Sequence, residues 1–349
     1  MRDAYTLRLM TNAAQCLVVP AERPAATVKP HRHRPLPLRI GTRPSPLALA
    51  QTRTFLSLLT RFCPVLKGMD VFEEHALLTT GDAVQDRRLA EIGGKGLFAK
   101  EIHEALLDGR IDVAVHSLKD LETELPPGIV LACTLRREDA RDALILGDSC
   151  DPSVDPTDPF AALPEAALVG TSSVRRQAQL LHARPDLRIT TMRGNVQTRL
   201  AKLRDEQCDA TLLALAGLRR LDLSHEASII IDPAIIVPSA GQGIAGVTVR
   251  ADDRELRELL AGIEDPESRA VSTAERSMLA ELDGSCRTPI GGYARLVSPH
   301  TLALTGLIAR ADGSFLLRRT VTGDPSDAAR LGRDLGESLR LVSPSDVLA

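Results

Sequence analysis

The stretch 111–120, IDVAVHSLKD, sets an apolar run of Ile111, Val113, Ala114 and Val115 against His116, Ser117, Lys119 and Asp120. A buried strand that opens into polar side chains at its carboxyl end is where ligands bind in open α/β sheets, because strand ends and helix N-termini face one crevice. Asp120 stands there either as a working carboxylate or as the cap of the next element. Arginine recurs at comparable places: Arg43 after 38–42, Arg175 and Arg176 after 167–170, Arg193 and Arg199 after 187–191, Arg219 and Arg220 after 210–216. A guanidinium binds a carboxylate or phosphate through two parallel hydrogen bonds. One such Arg is an ordinary surface turn; four turns of this kind predict a basic cleft between two domains. Cys286 lies in 283–292, DGSCRTPIGG, where Gly284 suits the left-handed position that ends a helix. A thiol on a short loop beside Arg287 is more reactive than one inside a strand; the other reading is a small buried hydrophobe. Lys95 sits among three glycines in 92–98, IGGKGLF. That is a flexible loop or one that brings backbone to a ligand, and its spacing is not that of a phosphate-binding GxxxxGK[ST] loop.

The elements that position these residues alternate. Strands are expected at 38–42, 75–80, 111–115, 129–135, 143–146, 167–170, 187–191 and 210–216, with helices at 46–59, 97–107, 174–182 and 196–204. Ser45 before Pro46 is a cap followed by a first-turn proline. The charged run 136–142, RREDARD, reads as a crossing between domains, and the Gly-rich 238–243, PSAGQG, as a hinge or return crossing. Helices are expected at 256–263 and 268–282. Strand runs at 302–310 and 314–321 are joined through Asp312-Gly313, a hairpin signal, before a closing helix at 325–341. The expected fold is α/β, with two doubly wound units and a small α+β C-terminal domain. The partition is 37–140 with a return segment 241–263, then 141–240, then 264–349. Residues 1–36, rich in Pro, Ala and Arg, read as a disordered extension.

The chain has 349 residues, too many for a single core. Its formal net charge of −3 and its 2% aromatic content argue against a nucleic-acid partner. Of 43 basic residues six are Lys, which leaves 37 Arg. The six Cys show no metal-ligand spacing, so no metal site is expected and reduced thiols in the cytoplasm are the simplest reading. No apolar run reaches the length of a membrane span.

Seven segments, in order, carry a resemblance: TRPSPLA at 42–48, GGKGLF at 93–98, AVHSLKD at 114–120, GTSSVRR at 170–176, RGNVQTR at 193–199, GQG at 241–243 and GSCRTPIG at 284–291. Together they resemble the porphobilinogen deaminase (hydroxymethylbilane synthase) family. The resemblance implies a transferase of haem biosynthesis that joins four porphobilinogen molecules head to tail and releases ammonia each time. It implies two domains like type II periplasmic binding proteins and a third that presents a Cys. It further implies a dipyrromethane primer held by a thioether to Cys286, with Asp120 as the catalytic carboxylate facing the cation left when ammonia departs. By the same resemblance Arg43, Arg175, Arg176, Arg193 and Arg199 hold the acetates and propionates of the pyrroles. Ser45, Lys95, Lys119, Thr171, Ser172 and Ser173 give polar support, Arg220 is a weaker match, and His116 is a structural residue at the strand end. A monomer is expected, with no membrane and no nucleic acid. Four positions depart from the common pattern: Glu91 stands where many members have Lys, Leu121-Glu122 replaces Val-Pro, and Thr248 replaces a frequent acidic residue. An anion- or amino-acid-binding protein on the same two-domain scaffold is the alternative.

Overall fold

The computed structural model describes residues 36–67, 71–84, 96–155, 157–282 and 288–347. The expected features at 1–35, Glu91, Lys95 and Cys286 lie outside them. Strands β1 (Leu38–Thr42), β2 (Phe72–Ala76), β3 (Val113–Ser117) and β4 (Ile129–Thr134) are followed by β5 (Asp142–Leu146), β6 (Leu168–Gly170), β7 (Arg188–Thr190), β8 (Ala210–Ala214) and β9 (Ile229–Ile230). Then come β10 (Ala245–Arg250), β11 (Ile290–Ser298), β12 (Thr301–Ala309) and β13 (Leu316–Gly323). The helices are α1 (Pro46–Phe62), α2 (Thr80–Ala83), α3 (Lys100–Leu107), α4 (Val174–Ala183), α5 (Val196–Arg204), α6 (Leu215–Arg220), α7 (Arg254–Ala261), α8 (Pro266–Glu281) and α9 (Ala328–Val342).

Two five-stranded sheets share one plan. The first runs β2-β1-β3-β10-β4 and the second β7-β6-β8-β5-β9. In each, three neighbouring strands pair in parallel, as expected where helices cross over between them, and a fourth runs the same way. One antiparallel strand comes from the other side of the molecule: β10 lies between β3 and β4, and β5 between β8 and β9. Two crossings, 135–141 and 231–244, therefore run side by side between the sheets. β3 is buried except at Ser117, because sheet neighbours and helices cover both of its faces. The third sheet, β11-β12-β13, is antiparallel and packs under α8 and α9 around Met278, Leu304, Ile308, Leu335 and Leu339. Buried Glu275 on α8 ties this layer to both crossings. It accepts from Arg137 Nη1 (2.7 Å), the Gly241 amide (2.7 Å) and the Ala294 amide of β11 (2.6 Å).

Among the differences from the sequence expectation are the strand β10, which is not among the expected strands, and three further elements. β2 ends at Ala76, because Thr79 leaves the sheet to donate its hydroxyl to Asp82 (2.7 Å) at the start of α2. β8 ends at Ala214 and α6 follows at once, so Arg219 and Arg220 sit in the last turn of a helix and not after a strand. Gly291 and Gly292 belong to β11, not to a loop. A Cβ at Gly291 would stand 2.9 Å from the Val237 side chain, and one at Gly292 2.8 Å from Met278, so glycine is what lets this strand approach the crossing.

Thr248 on β10 bonds His116 Nε2 at 2.9 Å, and His103 on α3 stacks obliquely on His116 at 5.7 Å between ring centres. Burial, then the nearby His103 and Arg43, pushes His116 down to about 3; burial lowers His103 as well, against the pull of Glu122. The His116 imidazole is thus neutral in the fold, whereas in the unfolded chain it titrates at about 6.5. Folding stability is fully present above that value and is lost as pH falls towards 3, at up to about 1.4 kcal/mol per pH unit for His116. The urea midpoint is expected to drop between pH 7.5 and 5, a window above the carboxylate range, and less so in His116→Gln. A flat midpoint across that window would contradict a buried neutral His116.

Candidate active site

Each first-turn cap directs a chemical side chain towards one cavity. Ser45 caps α1 by accepting from the Ala48 amide (3.3 Å), which leaves Arg43 at the end of β1 facing inward. Ser173 caps α4 by accepting from the Arg176 amide (3.4 Å), and Asn195 caps α5 by accepting from the Thr198 amide (2.9 Å). After β3 the chain makes a tight turn, Leu118–Asp120, that brings Lys119 and Asp120 out of the core. The cavity between these ends is about 580 Å3. Among its wall residues are Arg43, Ser45, Lys119, Asp120, Ser172, Ser173, Arg175, Arg176, Arg193 and Arg199, which come from both five-stranded sheets.

Asp120 is half-buried, and among the described residues no donor reaches it within hydrogen-bond distance. Its nearest charge is Arg43 Nη1, 3.8 Å away. Arg43 is fixed elsewhere: Nε donates to Asp82 (3.0 Å), Nη2 pairs with the other Asp82 oxygen, and the guanidinium lies 4.2 Å over the Phe98 ring. Burial works against the Arg43 charge, but Asp82 and Asp120 outweigh it and hold the group above its ordinary value.

The cations opposite are crowded. Burial, together with Arg176 and Arg193, brings half-buried Arg199 down to about 10. Burial brings Lys119 to about 8, although Asp120 opposes the shift. Arg193 donates from Nη2 to Gly81 O (2.9 Å) across the cleft. Arg176 is buried, and its Nε has no partner among the described residues. A buried donor left unmade costs free energy unless a ligand satisfies it. Net positive charge, an unmade guanidinium donor and an open volume together suit a ligand with several carboxylates. Among the described residues no group of three or more His, Cys, Asp or Glu is arranged to hold a metal ion.

Two expected site residues are placed differently from the rest. Thr171 is buried behind the turn, where its hydroxyl accepts from the Ser173 amide (3.1 Å), and it does not line the cavity. Arg220 donates to Gly243 O (2.7 Å) and braces a crossing. Asp82, Phe98, Asp142 and Gln242 are the side chains that sequence reading missed. Asp82 stood in plain view in TTGD, but only the fold shows that its partner is Arg43, 39 positions earlier.

Comparison with known proteins decides the family. A model described as porphobilinogen deaminase, dipyromethane cofactor binding domain, matches residues 38–258, and a second, porphobilinogen deaminase, C-terminal domain, matches 270–340. The chain belongs to the porphobilinogen deaminase family. It is 48% identical over 313 residues to porphobilinogen deaminase of Paracoccus denitrificans, covering 89% of this chain and 96% of that one. To that of Syntrophobacter fumaroxidans it is 43% identical over 302 residues, covering 86% and 94%. Among solved structures it is similar to the periplasmic VFT2 domain of Bordetella pertussis BvgS, with 13% identity, 65% and 86% coverage and a TM-score of 0.37. As a porphobilinogen deaminase the chain is a transferase of tetrapyrrole synthesis that polymerises porphobilinogen to hydroxymethylbilane with a dipyrromethane cofactor. Every expected site residue except Cys286 falls within the cofactor-binding match, and Cys286 falls within the C-terminal one.

Proposed function

We propose that Asp120 is the catalytic carboxylate of this porphobilinogen deaminase and that Cys286 carries the dipyrromethane through a thioether. The supporting observation is Asp120 itself, a carboxylate that no donor among the described residues reaches, set after β3 in a cavity whose wall also carries Arg43, Lys119, Arg176, Arg193 and Arg199. As ammonia leaves the substrate, positive charge spreads onto the pyrrole nitrogen. A fixed negative group beside that nitrogen stabilises the charge and can hold its proton. Arg43 stays bound to Asp82 and Phe98, so it limits but does not cancel the Asp120 charge.

The residues present fit the cofactor. Its acetates and propionates match Arg176, Arg193, Arg199 and Lys119, with Ser172 and Ser173 at the α4 N-terminus and Ser45 and Arg43 on the other wall. When bound it supplies the primer from which the chain of pyrroles grows. Arg175 lines the cavity while bonding Val237 O, and Thr171 belongs to the same set through its contact behind the wall. Holding the growing end and the next monomer in one cavity turns a bimolecular coupling into a local one.

The same reading divides the chain into 37–140 with 241–263, 141–240 and 264–349, supported by the three sheets. It also makes the enzyme a cytoplasmic monomer without a nucleic-acid partner, supported by the net charge of −3 and by free thiols at Cys63, Cys133, Cys150 and Cys208. No helix of the described residues is long and apolar enough to cross a membrane. Intact-protein and peptide mass spectrometry of purified enzyme tests the attachment: the peptide bearing Cys286 is expected to be heavier by a dipyrromethane. Active enzyme with an unmodified Cys286 would refute it.

A further inference from the structure

We propose that Asp142 is a positioning residue for the carboxylate-binding wall: it aims the Arg176 guanidinium from the second sheet and, through Gln242, the Lys119 ammonium from the first. The proposal rests on the reading of the cavity as a site for pyrrole carboxylates. Asp142 opens β5, is wholly buried and is not itself part of the cavity wall. Its two oxygens receive different arginines. Arg175 Nη2 donates to Oδ2 at 2.8 Å and Arg176 Nη2 to Oδ1 at 2.8 Å. Burial works against its charge, yet the two guanidiniums hold its carboxyl well below the ordinary range.

The adjacent arginines are not equivalent. Arg175 turns its other end to Val237 O (2.6 Å) in the crossing. Arg176 donates Nη1 to Leu212 O (2.8 Å), which leaves Nε buried and unpartnered in a side chain that lines the cavity. A planar guanidinium held at both terminal nitrogens has no freedom left, so the direction of Nε is set by Asp142 and Leu212 together. Gln242 extends the arrangement across the cleft. Its Nε2 donates to Asp142 Oδ1 (2.8 Å) and to Ala140 O (2.7 Å). That fixes the amide so that Oε1 faces Lys119 and accepts from Nζ (3.2 Å). Lys119 precedes Asp120, so a single carboxylate behind the wall registers cations on both sides of the reacting centre. Such placement matters because a donor misdirected by a fraction of an ångström forfeits most of a charge-assisted bond.

The test compares full-length Asp142→Asn and Gln242→Met with the wild-type holoenzyme. Readouts are kcat and KM for porphobilinogen, and the 15N–1H resonance of Arg176 Nε, which reports the guanidinium independently of turnover. A purely structural role would lower the folded fraction, hence kcat, and leave KM unmoved. Positioning predicts a KM increase of about tenfold in Asp142→Asn, the loss of one charge-assisted bond, with a displaced Arg176 resonance. Gln242→Met keeps both ion pairs and is expected to raise KM several-fold while leaving that resonance in place. If Asp142→Asn does not fold, Gln242→Met decides: an unchanged KM overturns the proposal. A folded Asp142→Asn whose KM stays within about twofold and whose resonance is unmoved also overturns it. A wild-type protein that does not consume porphobilinogen would instead refute the functional reading, and the Arg176 resonance would still test the positioning.

Discussion

Asp120→Asn is expected to lower kcat roughly a thousandfold while the dipyrromethane stays attached to Cys286. The substitution keeps the shape of the side chain, removes its charge and replaces one acceptor oxygen by an amide donor. Nothing else in the cavity need move, because no donor among the described residues holds Asp120 and Arg43 is anchored independently by Asp82 and Phe98. The effect is therefore attributable to the missing negative charge beside a developing cation, which a low-dielectric site makes worth several kcal/mol. KM is expected to change little, since the arginines that hold the carboxylates are untouched. Steady-state kinetics on protein whose cofactor content has been checked by mass make the measurement. Turnover within an order of magnitude of wild type would remove Asp120 from the role.

Arg199→Met is expected to cut kcat/KM about a hundredfold and at the same time raise the melting temperature of protein made without cofactor. A forked contact to a carboxylate supplies two charge-assisted bonds, together about 3 kcal/mol. Without a ligand the same cation is a liability. It is recessed in the cavity wall beside Arg176 and Arg193, and burial with these two like charges works against its own charge more than Asp120 and the single bond from Nε to Gly194 O (3.0 Å) favour it. Methionine covers the same surface without the repulsion. Opposite signs for stability and activity are what a site built for an absent anion predicts. Thermal denaturation of the two proteins side by side checks it, and a drop in melting temperature would show that Arg199 is held by the protein and not reserved for a ligand.

Much of the fold was legible from local signals. The Ser45-Pro46 start of α1, the apolar run of β3 and the turns at the ends of β6 and β7 are written in a few consecutive residues. What failed was non-local. β11 contains Gly291 and Gly292, which read as loop until Val237 and Met278 are seen pressing on them. The strand expected through Ala216 stops at Ala214, where the chain passes directly into α6 and turns Arg219 towards Glu138 at 2.8 Å. At the site, residues in short motifs were visible, whereas their supports were not. Asp142 sat inside RREDARD as one charge among six, and its partners lie 33, 34 and 100 positions away. No periodicity links such positions, so only the folded chain identifies them.

The return of β10 to the first sheet has a consequence for synthesis. The first sheet has β10 between β3 and β4, so residues 38–134 make a sheet with a gap at the position next to its central strand. Until Ala245–Arg250 leaves the ribosome, the β3 edge exposes unpaired backbone groups and β4 has no partner. The second sheet has no such debt, since β5 to β9 are contiguous in the chain. The second sheet is therefore expected to complete first, and the strand that leads to Asp120 to be sealed only when the return crossing arrives.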